Sequence, residues 1–123
     1  DAEAEEERWV LARAREDPRV AEALRADVLK VGHHGSATSS IPEFVAAVAP
    51  RVALVSVGAG NSYGHPSPAV VARLEAAGAE VVRTDLAGAV VVRTDGRSLT
   101  VHAGGTSWEP PPRSREDSRV GSR

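Results

Sequence analysis

The alternation of apolar strand-like runs with helical stretches is the feature that most constrains the fold of this chain. Residues 51–57 form a near-continuous apolar run, which is typical of a parallel strand buried on both faces. Asp95-Gly96 predicts a tight turn and therefore an antiparallel hairpin. The pattern as a whole predicts helices over residues 2–15, 18–26, 41–48 and 68–77, and strands over residues 28–31, 51–57, 80–83, 89–93 and 98–102. This order favours an α/β fold with a mixed sheet and flanking helices.

The composition of the chain changes after Gly104. Residues 105–123 contain three consecutive prolines among Arg, Ser, Glu and Asp, which is typical of a disordered tail. We therefore divide the chain into a folded part, residues 1–104, and a tail, residues 105–123. The 123 residues include no cysteine, which excludes disulfides and thiolate metal sites, and no methionine, from which we expect a piece of a longer protein. The net charge of −2 indicates no global attraction to nucleic acid.

Three of the four histidines lie in two short segments that follow apolar runs. The first segment is Leu-Lys-Val-Gly-His-His-Gly-Ser, residues 29–36, and the second is Asn-Ser-Tyr-Gly-His-Pro, residues 61–66. Imidazole is the commonest metal ligand and the commonest general acid or base near neutral pH. The two segments together predict part of a metal-dependent hydrolase site, because sites are commonly built where strands end.

The first segment contains His33 and His34, which would point to opposite faces if the strand simply continued. Gly35 allows a sharp turn directly afterwards, which would bring both imidazoles to one cavity. One ring could then bind a metal while the other contacts substrate, and the Ser36 hydroxyl could bind a phosphate or orient the rings. The alternative is a strand end with two hydrogen-bonded histidines and a Ser/Thr turn.

The second segment precedes a helix N-terminus, which favours an anionic group nearby. Pro66 restricts the backbone of His65 and thereby its direction. The alternative is a glycine-rich connection with an incidental histidine. Without further information, Asp1 is best explained as an N-cap of the first helix, and His102 as an edge or surface histidine at the last predicted strand.

The two segments occur in the order Leu-Lys-Val-Gly-His-His-Gly-Ser, then Val-Ala-Leu-Val-Ser-Val-Gly-Ala-Gly-Asn-Ser-Tyr-Gly-His-Pro-Ser-Pro, then Leu-Glu-Ala-Ala-Gly-Ala and Arg-Thr-Asp. This series resembles the C-terminal half of the metallo-β-lactamase-fold domain of the ComEC family of competence proteins, over roughly residues 1–104. The resemblance implies half of an αββα sandwich. The His-x-His/Asp-x-Asp-His cluster of that family's N-terminal half does not occur in this sequence.

The resemblance also implies a metal-dependent phosphodiesterase or nuclease that uses two zinc or manganese ions in the complete domain. Asp1 matches the aspartate that bridges the two metals, and His34 matches a ligand of the second metal. His65 would bind metal or donate a proton, and His33 would orient the site or act as an acid. We expect Ser36, Asn61 and Tyr63 to support the substrate.

In that family the parent protein is a membrane channel for single-stranded DNA, and the hydrolase domain is soluble and extracytoplasmic. The implied partners of this chain are therefore single-stranded DNA or another phosphodiester, the N-terminal half of the domain, and the channel segments. We expect the chain by itself to be inactive. Two alternatives remain, namely a non-catalytic module that contacts DNA or packs within a membrane transporter, and a free-standing metallo-hydrolase of small phosphoesters.

Overall fold

The structure is a computed structural model and describes residues 1–113. Its helices are α1 (Ala4–Glu16), α2 (Pro18–Leu24), α3 (Pro42–Val48), α4 (Pro68–Ala76) and α5 (Thr84–Ala87). Its strands are β1 (Val28–Lys30), β2 (Val52–Val55), β3 (Glu80–Arg83), β4 (Val90–Thr94), β5 (Leu99–Ala103) and β6 (Thr106–Trp108). A short 3-10 segment, Gly32–Gly35, follows β1 and is called the histidine turn below.

The six strands form two separate sheets. Sheet A is parallel, with the order β1-β2-β3, and sheet B is antiparallel, with the order β4-β5-β6. The hairpin expected around Asp95-Gly96 is confirmed, with Thr94 opposite Leu99. The fold is therefore mixed α/β as predicted, although the parallel and antiparallel pairings lie in different sheets.

Sheet A is buried on both faces, because alternate residues of β2 point to opposite sides. One face packs against α3 and α4 through a cluster that includes Val45, Val55 and Leu74. The other face packs against sheet B, where Val52 meets the cluster that contains Val101. The resulting order of helices, sheet A and sheet B is compatible with half of an α/β sandwich.

The start of α1 differs from the sequence expectation. Its N-cap is Glu3, which exchanges hydrogen bonds with Glu6 in a capping box, so that Asp1 lies ahead of the helix. The N-cap alternative for Asp1 is therefore wrong. Asp1 is left free to face other parts of the molecule.

The segment after Gly104 is packed against the fold as far as Arg113, which differs from the predicted tail. It forms β6, and the Trp108 indole N–H donates to the Glu80 carboxylate. Arg51 donates to the carbonyl oxygens of residues 110 and 111 at 3.0 Å. Residues 114–123 of the predicted tail lie outside the described residues. Among the described helices, none has both the length and the apolar character needed to cross a membrane.

Candidate functional site

The two histidine segments meet at the carboxyl edge of sheet A. Since β1 and β2 are adjacent and parallel, the histidine turn that follows β1 and the loop that follows β2 start at the same edge. The loop of residues 58–66, called the tyrosine loop here, carries the second segment. The Ser67 N–H donates to the Gly35 carbonyl at 2.8 Å and ties the two together.

The histidine turn has a left-handed backbone. His33 lies at φ 48°, ψ 42° and His34 at φ 55°, ψ 25°, and Gly35 follows at φ 80°. A left-handed conformation costs a non-glycine residue about 1–2 kcal/mol, so that surrounding contacts must hold the turn. Its effect is to keep both imidazoles on one side, with ring centroids 6.4 Å apart. The turn thus begins at the histidines themselves and not only at Gly35.

Two glycines let neighbouring segments approach the histidine turn. A Cβ on Gly32 would lie 2.9 Å from the Ala2 carbonyl oxygen, and a Cβ on Gly35 would lie 2.5 Å from Pro66 Cβ. Real Cβ atoms do not tolerate such distances. The turn is therefore clamped between the residues that precede α1 and the end of the tyrosine loop, where the His65–Pro66 peptide bond is cis.

Both imidazoles of the turn bind an oxygen atom through Nδ1. His33 Nδ1 lies 2.7 Å from Glu3 Oε1, and His34 Nδ1 lies 2.6 Å from the Ser56 carbonyl oxygen. Because both oxygens are acceptors, Nδ1 carries the hydrogen in each neutral ring and Nε2 keeps its lone pair. Metal-binding histidines in proteins are commonly oriented in this way by an acceptor on the second nitrogen.

The two Nε2 atoms face the same carboxylate. His33 Nε2 lies 3.8 Å from Asp1 Oδ2, and His34 Nε2 lies 3.8 Å from Asp1 Oδ1. These distances exceed hydrogen-bond length, so that two imidazole lone pairs and a carboxylate converge without bonding one another. This convergence joins Asp1 to two predicted site residues that lie more than thirty positions later in the sequence.

The ring of His65 lies beside the turn, with its centroid 5.6 Å from that of His33. Asn61 fixes the backbone on either side of this ring. Its Oδ1 accepts from the N–H groups of His65 at 3.1 Å and Tyr63 at 3.2 Å, and its Nδ2 donates to the His65 carbonyl at 2.8 Å. Asn61 therefore supports the site by shaping the tyrosine loop.

Ser36 directly follows the histidine turn and is held by contacts with Thr38. It is buried, and its hydroxyl lies 2.9 Å from the Thr38 hydroxyl and accepts from the Thr38 N–H at 3.3 Å. These contacts brace the segment directly after the turn, and the expected contact of Ser36 with substrate stays a prediction.

Two glutamates also accept hydrogen bonds from the histidine turn and the segment after it. Neither of them was identified from the sequence. Glu3 accepts from His33 and, at 3.0 Å, from the Thr38 hydroxyl. Glu7 is 3% exposed and accepts from the backbone N–H groups of Ser40 at 2.7 Å and Ile41 at 2.9 Å. Glu6 was the available signal, because a capping box places Glu or Gln three residues after the N-cap, although the N-cap is usually Ser or Thr.

A cleft of about 440 Å³ opens beside His34. Thr84 closes one side of it, because its hydroxyl accepts from the Val57 N–H at 2.8 Å and donates to the Val57 carbonyl at 2.9 Å. The cleft is lined by His34, Ser56, Val57, Gly58, Asn61, Tyr63, His65 and Thr84. It therefore borders both histidine segments and is large enough for a small phosphoester or one nucleotide unit.

The donor atoms at this edge are of the types that a divalent metal ion binds, but they are too few to complete a site. Asp1, His33 and His34 offer carboxylate oxygen and imidazole nitrogen, which zinc and manganese accept. Within residues 1–113, however, no group of three or more His, Cys, Asp or Glu side chains has the geometry to hold a metal ion. The described part of the chain thus provides part of a donor set.

The fourth histidine lies elsewhere. His102 is in β5, and its Nδ1 lies 2.6 Å from the Ser107 hydroxyl on the neighbouring strand β6. The structure therefore brings together three of the four histidines and leaves this one in sheet B.

Comparison with known proteins reveals similarity to competence proteins over about half of the chain. The chain is 46% identical over 52 residues to ComE operon protein 3 of Bacillus subtilis, and 49% identical over 58 residues to Competence protein ComA of Neisseria gonorrhoeae. It is 44% identical over 50 residues to Recombination protein 2 of Haemophilus influenzae. These matches cover 41–47% of this chain and 6–8% of the relatives. The predicted resemblance to the ComEC family is confirmed by these matches.

The other two comparisons found nothing. No protein-family model matches the chain, and no solved structure matches it. The chain spans less than a tenth of the length of the curated relatives. The comparison therefore does not assign the activity of a whole relative to this chain.

Proposed function

We propose that this chain is the C-terminal part of a metal-dependent phosphodiesterase domain that acts on DNA within a membrane-bound DNA-uptake protein. One of the similar proteins is named as a competence protein, which supports a role in DNA uptake. The observation that carries the hydrolase proposal is the convergence of the Nε2 atoms of His33 and His34 on the Asp1 carboxylate.

In this proposal Asp1 and His34 bind the metal, and the acceptors on the Nδ1 atoms hold the rings in place. His65 lies close enough to His33 to act as a further ligand or as a proton donor to the leaving oxygen. A bound pair of zinc or manganese ions would supply a nucleophilic hydroxide and stabilise negative charge on the phosphate. The remaining ligands would come from the N-terminal half of the domain, outside residues 1–123.

A metal titration of the isotope-labelled chain, followed by NMR, tests the proposal. We expect Zn²⁺ to shift the ring signals of His33 and His34, and Mn²⁺ to broaden them, while the signals of His102 stay unchanged. The variant His34→Ala should weaken the apparent affinity at least about tenfold. The matched control His102→Ala removes a histidine with an equally short Nδ1 contact and should bind as the wild type does. Equal responses of all four histidines would contradict the proposal.

Activity is tested in the longer protein that contains the rest of the domain. There, His34→Ala should lower metal-dependent cleavage of an oligonucleotide at least about tenfold, and His102→Ala should leave it unchanged.

The incomplete donor set favours a second candidate, a non-catalytic module that contacts DNA. This candidate predicts that neither Zn²⁺ nor Mn²⁺ affects the histidine signals selectively, and that the longer protein has no cleavage that depends on His34.

A further inference from the structure

Tyr63 is an exposed aromatic residue at the mouth of the cleft. It is the only tyrosine of the chain, its residue surface is 81% exposed, and it lines the same cleft as His34. One face of its ring stacks on His65, with centroids 5.8 Å apart and planes 30° from parallel. The ring is therefore held on one side and open to solvent on the other, beside the converging donor atoms.

The stacked pair is presented by an ordered piece of backbone. The Asn61 carboxamide accepts from the N–H groups of both stacked residues and donates to the His65 carbonyl. These bonds fix the tyrosine loop on either side of the ring. A ligand that stacks on a ring held in this way loses little affinity to ordering of the loop.

We propose that the Tyr63–His65 pair is a subsite for one nucleobase of a single-stranded nucleic acid bound along the cleft. The proposal rests on the proposed function, because that function supplies the polynucleotide. A single strand is required because a base within a duplex has both faces covered by its neighbours, whereas an unpaired base can stack on an aromatic side chain.

The charge of the chain favours base stacking over phosphate attraction as the source of affinity for a single strand. The chain has more acidic than basic residues, 17 against 15, and Asp1 and Glu3 lie next to the histidine turn. Attraction of phosphates to basic side chains, which dominates the binding of many nucleic-acid proteins, is therefore weak here. An exposed flat ring offers an interaction that does not depend on phosphate charge.

Fluorescence anisotropy of a dye-labelled oligothymidylate of about eight nucleotides, titrated with the 123-residue chain, tests the subsite. Tyr63→Ala should weaken binding at least about fivefold, and Tyr63→Phe should bind within about twofold of the wild type because it keeps the ring. An abasic strand with the same phosphates should not distinguish wild type from Tyr63→Ala. Since the side chain is exposed, both variants should unfold at the wild-type temperature.

Trp9→Ala is the matched control. Trp9 is also exposed, at 67%, but it lies on α1 and does not line the cleft. Its removal should leave oligothymidylate binding unchanged. Binding that falls equally in the Trp9 and Tyr63 variants would overturn the subsite.

The outcomes separate the subsite from the proposed function. Wild-type binding that is unaffected by Tyr63→Ala, or no binding of the oligothymidylate at all, would overturn the subsite, and the metal titration would still test the hydrolase. Binding that depends on Tyr63 without any selective metal response at His33 and His34 would uphold the subsite and contradict the hydrolase.

Discussion

His34 at the edge of sheet A and His102 in sheet B have equally short Nδ1 contacts and different surroundings. Each holds its Nδ1 2.6 Å from an oxygen atom. The Nε2 of His34 faces the Asp1 carboxylate, whereas within residues 1–113 no carboxylate lies within ion-pair distance of the His102 ring. An oriented imidazole is thus common to both regions. What distinguishes a candidate site is what the second nitrogen faces.

The same contrast holds for the backbone of the two regions. Gly35 at φ 80° and Gly96 at φ 90° both occupy the left-handed range. The space around Gly35 is filled by Pro66, whereas nothing lies within 4 Å of a Cβ placed on Gly96. The hairpin of sheet B uses glycine for its conformation alone, and the site uses it for conformation and for close packing.

The largest expected effect comes from Gly35→Ala. The substitution combines an unfavourable φ with overlap against Pro66, and we expect a loss of about 2–4 kcal/mol of unfolding free energy. The matched control Gly96→Ala has only the unfavourable φ and should lose about 1–2 kcal/mol. Urea unfolding of both variants measures the difference. Equal losses would show that the approach of Pro66 costs nothing.

The next effect is expected for Glu7→Ala. It leaves the buried N–H of Ser40 and the partly buried N–H of Ile41 without their acceptor, which should cost about 2–3 kcal/mol. Asp95→Ala removes an acceptor of two N–H groups in the exposed hairpin turn, where water replaces it, and should cost less. If the two variants unfolded at the same urea concentration, burial of the acceptor would not matter.

A smaller loss of folding stability is expected when the pH is lowered. The N–H groups of Ser98 and Arg97, together with the Ser98 hydroxyl, lower the pKa of Asp95 from 3.8 to about 2. Because the folded pKa is depressed, the stabilisation is fully present above about pH 4 and is lost as the pH falls towards 2. An NMR titration of the Asp95 carboxyl signal measures this pKa. A midpoint near 3.8 would contradict the hydrogen bonds of the turn.

The smallest effect on stability is expected for Glu3→Gln. The shape of the side chain is kept, so the unfolding free energy should change by less than about 0.5 kcal/mol. The neutral amide accepts more weakly from His33 Nδ1, so the fraction of that ring with its hydrogen on Nδ1 should fall, as ring nitrogen shifts would show. The ring of His34, held by the Ser56 carbonyl, should not change.

The sequence alone allowed the main elements and the meeting of the two histidine segments to be predicted. Apolar runs indicated β2 and β3, and the Pro and Gly signals indicated where α4 begins and ends. Such signals are local, because they depend on residues within the element or next to it. The common edge of β1 and β2 follows from their parallel pairing in the structure, which the sequence pattern did not specify. These predictions depend on regularities that act within a few residues or within one sheet.

The remaining features depend on contacts between distant segments. The glycines on either side of His33 and His34 lie against Ala2 and Pro66, which no local pattern links to the turn. The orienting role of Glu3 arises from a contact across thirty positions. For the same reason, β6 in the predicted tail was missed, because its partner β5 and the Glu80 carboxylate stabilise a segment whose composition is typical of disorder.

The position of Asp1 and Glu3 ahead of α1 has a consequence for partial unfolding. Proteins open in cooperative units, and segments with few buried apolar contacts can open before the rest of the fold. The helix α1 packs against α2 and α3, and Glu7 is its only buried residue. If α1 detached, it would carry off the shared carboxylate, the acceptor of His33 and the backbone that presses on Gly32 in one event. The loss of a single helix would therefore remove three of the contacts that define this edge at once.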